Sequence, residues 1–163
     1  ESRGKRNARI ELLPYHPDFQ SDFASLNEQW ISHYFKLEDA DRPALENPQG
    51  YIIDPGGEIV FARDVESRDI LGTCALVIRD KFVGELAKMA VSPAARGRGI
   101  GELLGEYILN EGKKRGLRTV MLETNGILAP ALSLYRKLGF VQKPFPYRSS
   151  YGRADVYMEC SLG

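Results

Sequence analysis

The sequence predicts a single α/β domain with a mixed central β-sheet flanked by helices, and three observations carry that expectation. Runs of alternating apolar residues and runs with apolar residues three or four apart succeed one another along the chain, as strands interleaved with helices would. A strand-like run, Glu85 to Val91, feeds the stretch Arg-Gly-Arg-Gly-Ile-Gly at positions 96 to 101, where a helical pattern begins. The length of 163 residues falls within the range of one domain and suffices for a substantial core, so residues 1–163 are read as one unit.

Each element has its own signal. Ala8 to Leu13 alternates as a first strand. Pro17 opens a helical stretch running through Trp30 to Phe35, with Phe19, Phe23, Leu26 and Trp30 on one face. Lys36 to Gln49 is polar and irregular, with a short helix around Ala40 to Glu46. Asp54-Pro55-Gly56-Gly57 is a turn that joins Tyr51–Ile53 to Glu58–Asp64, proline fixing its first central position and glycine supplying a positive φ at the second. Ile70 to Arg79 and Phe82 to Val91 form an antiparallel pair across Asp80-Lys81. Ile100, Leu103, Leu104, Tyr107 and Ile108 mark an amphipathic helix that Gly116 can cap. Thr119 to Asn125 reads as a buried strand, Ala131 to Phe140 as a helix, and Phe140–Tyr147 and Ala154–Cys160 as the last strands.

The glycine stretch is where chemistry enters. The first amides of a helix lack internal partners and carry the positive end of its dipole, so a strand, a glycine turn and a helix start together can hold a diphosphate by main chain. Arg96 and Arg98 add charge-assisted donors, and Pro93 ends the strand just before the turn. A P-loop would need Gly-Lys-Ser/Thr at the end of the turn, and a dinucleotide fingerprint would need glycine at position 102, where this chain has Glu102. What remains is Arg-x-x-Gly-x-Gly, and in this motif the chain resembles the GNAT superfamily of acyl-CoA-dependent N-acyltransferases. The resemblance covers roughly Leu71 to Val141 and includes the strand Glu85–Val91, the strand Thr119–Asn125 and the helix ending in Tyr135-Arg-Lys-Leu-Gly-Phe140.

That resemblance implies a GNAT-like fold and a set of roles. The backbone of Arg96, Gly97, Arg98, Gly99, Ile100 and Gly101 would bind the pyrophosphate of coenzyme A. Met89, Ala90 and Val91, on a strand that splays from its neighbour, would pair with the pantetheine arm, and a backbone N–H there would polarise the thioester carbonyl. Asn125 would hydrogen-bond the same arm, although an Asn-Gly pair also suits a plain turn. Acyl transfer to an amine requires a base to deprotonate the ammonium and an acid to protonate the departing thiolate. Tyr135 matches the family's catalytic tyrosine, and its ordinary pKa of about 10 keeps it protonated at neutral pH. Its alternative role is packing in the core. Glu85 is the base candidate, with alternation placing it on one face with Ala87, Met89 and Val91, and Glu123 is the second candidate. The implied activity moves an acetyl or short acyl group from acetyl-CoA to a primary amine of a small molecule or a peptide.

Composition bounds the rest. With 22 basic and 22 acidic residues the net charge is zero, which gives no global footprint for nucleic acid or an anionic membrane. Arg3, Lys5, Arg6 and Arg9 make the start of the chain locally basic, and residues 1–7 are read as a disordered, solvated tail. Cys74 and Cys160 lack metal-ligand spacing and read as core residues, and His16 and His33 as structural ones; no metal is implied, and a cytoplasmic setting follows as the default. Neither a signal peptide nor an apolar run of roughly 20 residues is evident. The acceptor pocket is expected between Tyr34–Gln49 and Tyr147–Arg153, where Asp39, Asp41, Glu46, Tyr147, Arg148 and Tyr151 lie. The acceptor itself is not encoded in any recognisable motif, and a homodimer is left open. Two other readings stand beside the enzyme: an acyl-CoA-binding regulatory module and a nucleotide-binding α/β protein.

Overall fold

A computed structural model of the chain describes residues 9–163; the expected basic tail lies outside the described residues. Seven strands form one sheet in the order β1-β2-β3-β4-β5-β7-β6, built from β1 (Ile10–Pro14), β2 (Glu58–Asp64), β3 (Ile70–Ile78), β4 (Val83–Val91), β5 (Thr119–Thr124), β6 (Val141–Lys143) and β7 (Val156–Ser161). Every pairing is antiparallel except β4 with β5, which are joined by the crossover helix α3 (Ile100–Lys114). Helices α1 (Gln20–Tyr34) and α2 (Arg42–Glu46) precede β2, and α4 (Ala129–Leu138) follows β5.

The sheet separates two cores. Leu76, Leu86, Val120, Leu122 and Met158 pack with Ile100, Leu104 and Ile108 of α3 on one face. On the other, Ile59, Phe61, Ala75 and Val77 pack with Phe23 of α1 and with Ala44 and Leu45 of α2. Strand alternation makes this two-sided burial possible, since successive side chains leave the sheet in opposite directions. Both cysteines are free and buried.

Two local readings change. Tyr51–Ile53 is not a strand: it belongs to a π-helical segment, Gln49–Ile53, whose chain reverses at Gly56 (φ 107°) with Gly57 N donating to Ile52 O. The second change is in β4. Thr73 pairs with Ala90 but Ala75 with Ala87, so Lys88 and Met89 stand opposite the single Cys74, and Lys88 takes a left-handed φ of 56°. This bulge breaks the alternation. Ala87 packs with the α1 side, whereas Met89 and Val91 pack with the α3 side, so Glu85 does not share a face with Met89 and Val91 as simple alternation implied.

An ion cluster holds the bulge. The Lys88 side chain, 8% exposed, reaches Asp41, 0% exposed, at 2.6 Å, and Arg153 bridges the same carboxylate at 2.6 and 2.8 Å. Burial alone would raise the Asp41 pKa; the bonds from Arg153 and Lys88 outweigh it and hold the carboxyl at about 2, below its ordinary 3.8. The charged form is therefore favoured by folding, and its contribution is present above pH 3.8 and lost as pH falls toward 2. Asp41→Asn leaves two buried cations without their counter-ion, and a loss of about 3–5 kcal/mol is expected by chemical denaturation at neutral pH, shrinking as pH falls below 4. An unchanged denaturation midpoint at pH 7 would show that the cluster does not hold the fold.

Candidate active site

The parallel pairing of β4 and β5 covers only Val83–Glu85 against Thr119–Met121. Beyond it both strands continue unpaired with each other, to Val91 and Thr124, and a cavity opens between them. Glu85, Lys88, Met89, Glu123, Asn125 and Tyr135 all line it. A second groove runs beside it over Arg96, Gly97, Gly99 and Gly101 to Leu134 of α4. Trp30, Met89, Leu128 and Tyr135 line both, so groove and cavity meet at Tyr135.

The groove's floor is the glycine turn. Gly97 and Gly99 have φ of 81° and 74°, a region costly for a residue with a Cβ. No side chain caps α3, and the amide of Leu103, bonding Gly99 O at 3.2 Å, is the first to return to the helix start. The amides of Ile100, Gly101 and Glu102 ahead of it have no helical partner, the arrangement an anion can use. Gly101 differs: a Cβ there would stand 2.9 Å from Leu134 Cδ2, so the end of that α4 side chain would have to shift. Ala90 pairs with Thr73, and the Ile100 side chain is core. The two arginines divide. Arg96 crosses the groove to the Tyr34 hydroxyl at 3.4 Å, whereas the Arg98 guanidinium is engaged by Asp64 at 3.1 Å, which pins the turn to the end of β2.

In the cavity the two carboxylates differ sharply. Glu85 is 5% exposed, and Arg79 Nε donates to its Oε1 at 2.7 Å. The second Arg79 bond also lands on Oε1, which leaves Oε2 without a partner among the described residues. Burial pushes the Glu85 pKa up, against the pull of Arg79. Glu123 instead accepts hydroxyl bonds on both oxygens, from Tyr147 and Ser149, and has no cation within ion-pair distance among the described residues. Tyr135 packs edge-on against Phe140, with ring centroids 6.1 Å apart; its hydroxyl bonds to no described residue, and burial raises its pKa. The Asn125 amide is held at both ends by backbone, Nδ2 donating to Arg153 O at 2.7 Å and Oδ1 accepting from Ile127 N at 2.9 Å.

Of the pocket residues expected from the loops, Asp41 and Tyr151 gather around Lys88, and Tyr147 around Glu123. His16 accepts from Asp18 N, and His33 meets Tyr34 edge-on with ring centroids 4.6 Å apart. Sequence reasoning passed over Arg79, Lys88, Ser149 and Asn27. For Lys88 and Asn27 a signal existed, a charge inside an apolar strand and an amide on an apolar helix face.

Residues 18–140 match the model of the acetyltransferase (GNAT) family. The chain belongs to this family. An uncharacterized N-acetyltransferase of Schizosaccharomyces pombe is 30% identical over 90% of this chain and 90% of its own length. An IAA acetyltransferase of Azospirillum brasilense is 46% identical over 55% of this chain; the match spans only 61% of that relative. Among solved structures, a GNAT acetyltransferase of Staphylococcus aureus superposes with a TM-score of 0.85 at 20% identity, covering 94% of this chain and 99% of that one. A Salmonella typhimurium acetyltransferase solved with acetyl-CoA gives 0.70 at 15% identity, over 94% of each chain. No described helix is long and apolar enough to cross a membrane, and no described cluster of His, Cys, Asp and Glu could hold a metal ion.

The glycine turn permits a sharp test. Gly99→Ala meets no neighbour within 4 Å yet must hold a φ of 74°, so calorimetry should show coenzyme A affinity falling about tenfold in a folded protein. Gly101→Val should weaken it by placing bulk in the groove and shifting the Leu134 side chain that lines it. Unchanged affinity in both variants would mean that the turn holds no phosphate.

Proposed function

We propose that this chain is an acetyl-CoA-dependent N-acetyltransferase acting on a primary amine of a small molecule or a peptide. The observation that carries the reading is the continuity of the glycine-turn groove with the carboxylate-lined cavity, with Tyr135 at their junction. Acetyl-CoA fits this groove: positive-φ glycines, open helix-start amides and Arg96 offer a place for its diphosphate, and the unpaired stretch of β4 offers main-chain groups to its pantetheine arm. The cosubstrate supplies a thioester, an activated acyl group. Met89, Ala90 and Val91 would align it, with Asn125 beside them.

The chain's residues then divide the proton transfers. Glu85 Oε2, open to the cavity and made more basic by burial, accepts a proton from the acceptor's ammonium. Tyr135, kept protonated by its raised pKa, donates to the leaving thiolate. Glu123, without a cationic partner, draws the positively charged amine into the cavity.

A panel of ethanolamine, spermidine, methionine, lysine and a glycine-initiated peptide, with free-thiol detection, tests the activity. Thiol release with none of these, despite stabilisation by acetyl-CoA, would favour a binding module; stronger stabilisation by a nucleotide would remove the coenzyme A reading. Tyr135→Phe preserves the ring contact with Phe140 and should lower kcat about 100-fold while leaving acetyl-CoA affinity unchanged. Glu85→Gln should lose most turnover at low pH and regain part as pH rises and free amine becomes abundant. Glu123→Gln should chiefly raise the acceptor KM. A Glu123 variant with the steep pH dependence, beside a Glu85 variant like wild type, would move the base to β5.

A further inference from the structure

We infer that Asn27 is an acceptor-binding residue, its side-chain oxygen receiving a hydrogen bond from an N–H of the amine in the cavity between β4 and β5. The inference rests on the acyltransferase reading and adds to it a residue from α1.

Asparagine is a poor choice for the middle of a helix and a costly one in a core. Asn27 nevertheless sits near the centre of α1, one turn after Phe23 and one turn before Ile31, on the face that packs against the sheet, and is 1% exposed. Its Nδ2 donates to Phe23 O at 3.0 Å. A carbonyl can only accept, so this bond fixes the amide: nitrogen toward the helix, oxygen away from it. No described residue donates to that oxygen. Nor is the oxygen sealed in, since among the described residues no fully occluded side-chain polar atom lacks a partner. The open space beside Asn27 is the cavity, which it lines together with Trp30, Ile31, Glu85 and Glu123.

Position in the fold assigns the donor to the acceptor rather than to the cosubstrate. The floor of the groove, the glycine turn and α4, lies on the α3 side; Trp30 and Tyr34 reach the groove from α1, but Asn27, earlier in the same helix, does not line it. Asn27 extends from α1, which packs on the opposite face, the face that also carries Ala87 and, through the bulge, Lys88. A thioester reaching through the gap from the groove therefore meets an amine held against α1. A primary amine that has given one proton to Glu85 keeps two N–H groups, and an uncharged oxygen can orient one of them without competing for the proton.

The test is Asn27→Leu, which keeps the branched outline of the side chain and removes the oxygen together with the Nδ2 bond to Phe23, with Asn27→Ala as a smaller second variant and melting temperature recorded for both. Steady-state kinetics use whichever member of the amine panel wild type acetylates best, and calorimetry uses acetyl-CoA. The expected result is an acceptor KM raised about tenfold at similar kcat, with acetyl-CoA affinity within twofold of wild type. An unchanged acceptor KM in both variants would overturn the inference. So would a tenfold loss of acetyl-CoA affinity at unchanged acceptor KM, which would give the oxygen to the pantetheine arm. Wild type that acetylates no member of the panel would overturn the acyltransferase reading and this inference with it, and that failure is seen without any variant.

Discussion

The parallel contact between β4 and β5 ends at Glu85 and Met121, and the site exists because it ends there. A strand in the middle of a sheet ordinarily spends its backbone groups on its neighbours. Here β4 keeps its pairing with β3 but, past Glu85, leaves its other edge open. The bulge at Lys88 increases the local bend, and the Lys88–Asp41–Arg153 cluster fixes it by tying β4 to the segment before α2 and to the loop before β7. The end of the β4–β5 pairing thus provides the gap and the open strand edge, and the bulge opposite β3 redirects the side chains.

Around that gap the charges have distinct tasks. Arg79 on Glu85 and Lys88 with Arg153 on Asp41 compensate groups buried too deeply to stay ionised alone. Glu123 is bonded only by hydroxyls, and in the proposed reaction its charge would be the one left to meet an ammonium. The proposed cofactor side would differ in kind, relying on helix-start amides and positive-φ glycines rather than on many side-chain cations. That economy agrees with the overall neutrality of the chain.

The parts legible in the sequence were those set by local rules. Apolar spacing gave α1, α3 and their buried faces, and the left-handed turn at Gly97 and Gly99 was legible because its φ requirements are written in residue type. Local rules failed where tertiary contacts decide. Tyr51–Ile53 has the composition of a strand but is wound into a π-helical turn. Nothing around Lys88 announces a bulge, because its cause is Asp41, 47 residues away. Arg98 looked free for phosphate, yet Asp64 on β2 claims it. The partners of Glu123 come from a loop more than 20 residues later, a closure no periodicity encodes. Asn27 had a local signal, an amide on an apolar stripe, whose meaning appears only once the cavity beside it is known.

Amide hydrogen exchange with and without acetyl-CoA tests most directly whether the β4–β5 gap and the helix start hold the cosubstrate. Protection on binding should concentrate at Met89–Val91 and at Ile100–Glu102, whose amides would gain partners from the pantetheine arm and the diphosphate. The outer strands β1 and β6 should exchange as before. Protection absent from both segments while acetyl-CoA is demonstrably bound would place the cosubstrate elsewhere and contradict the account.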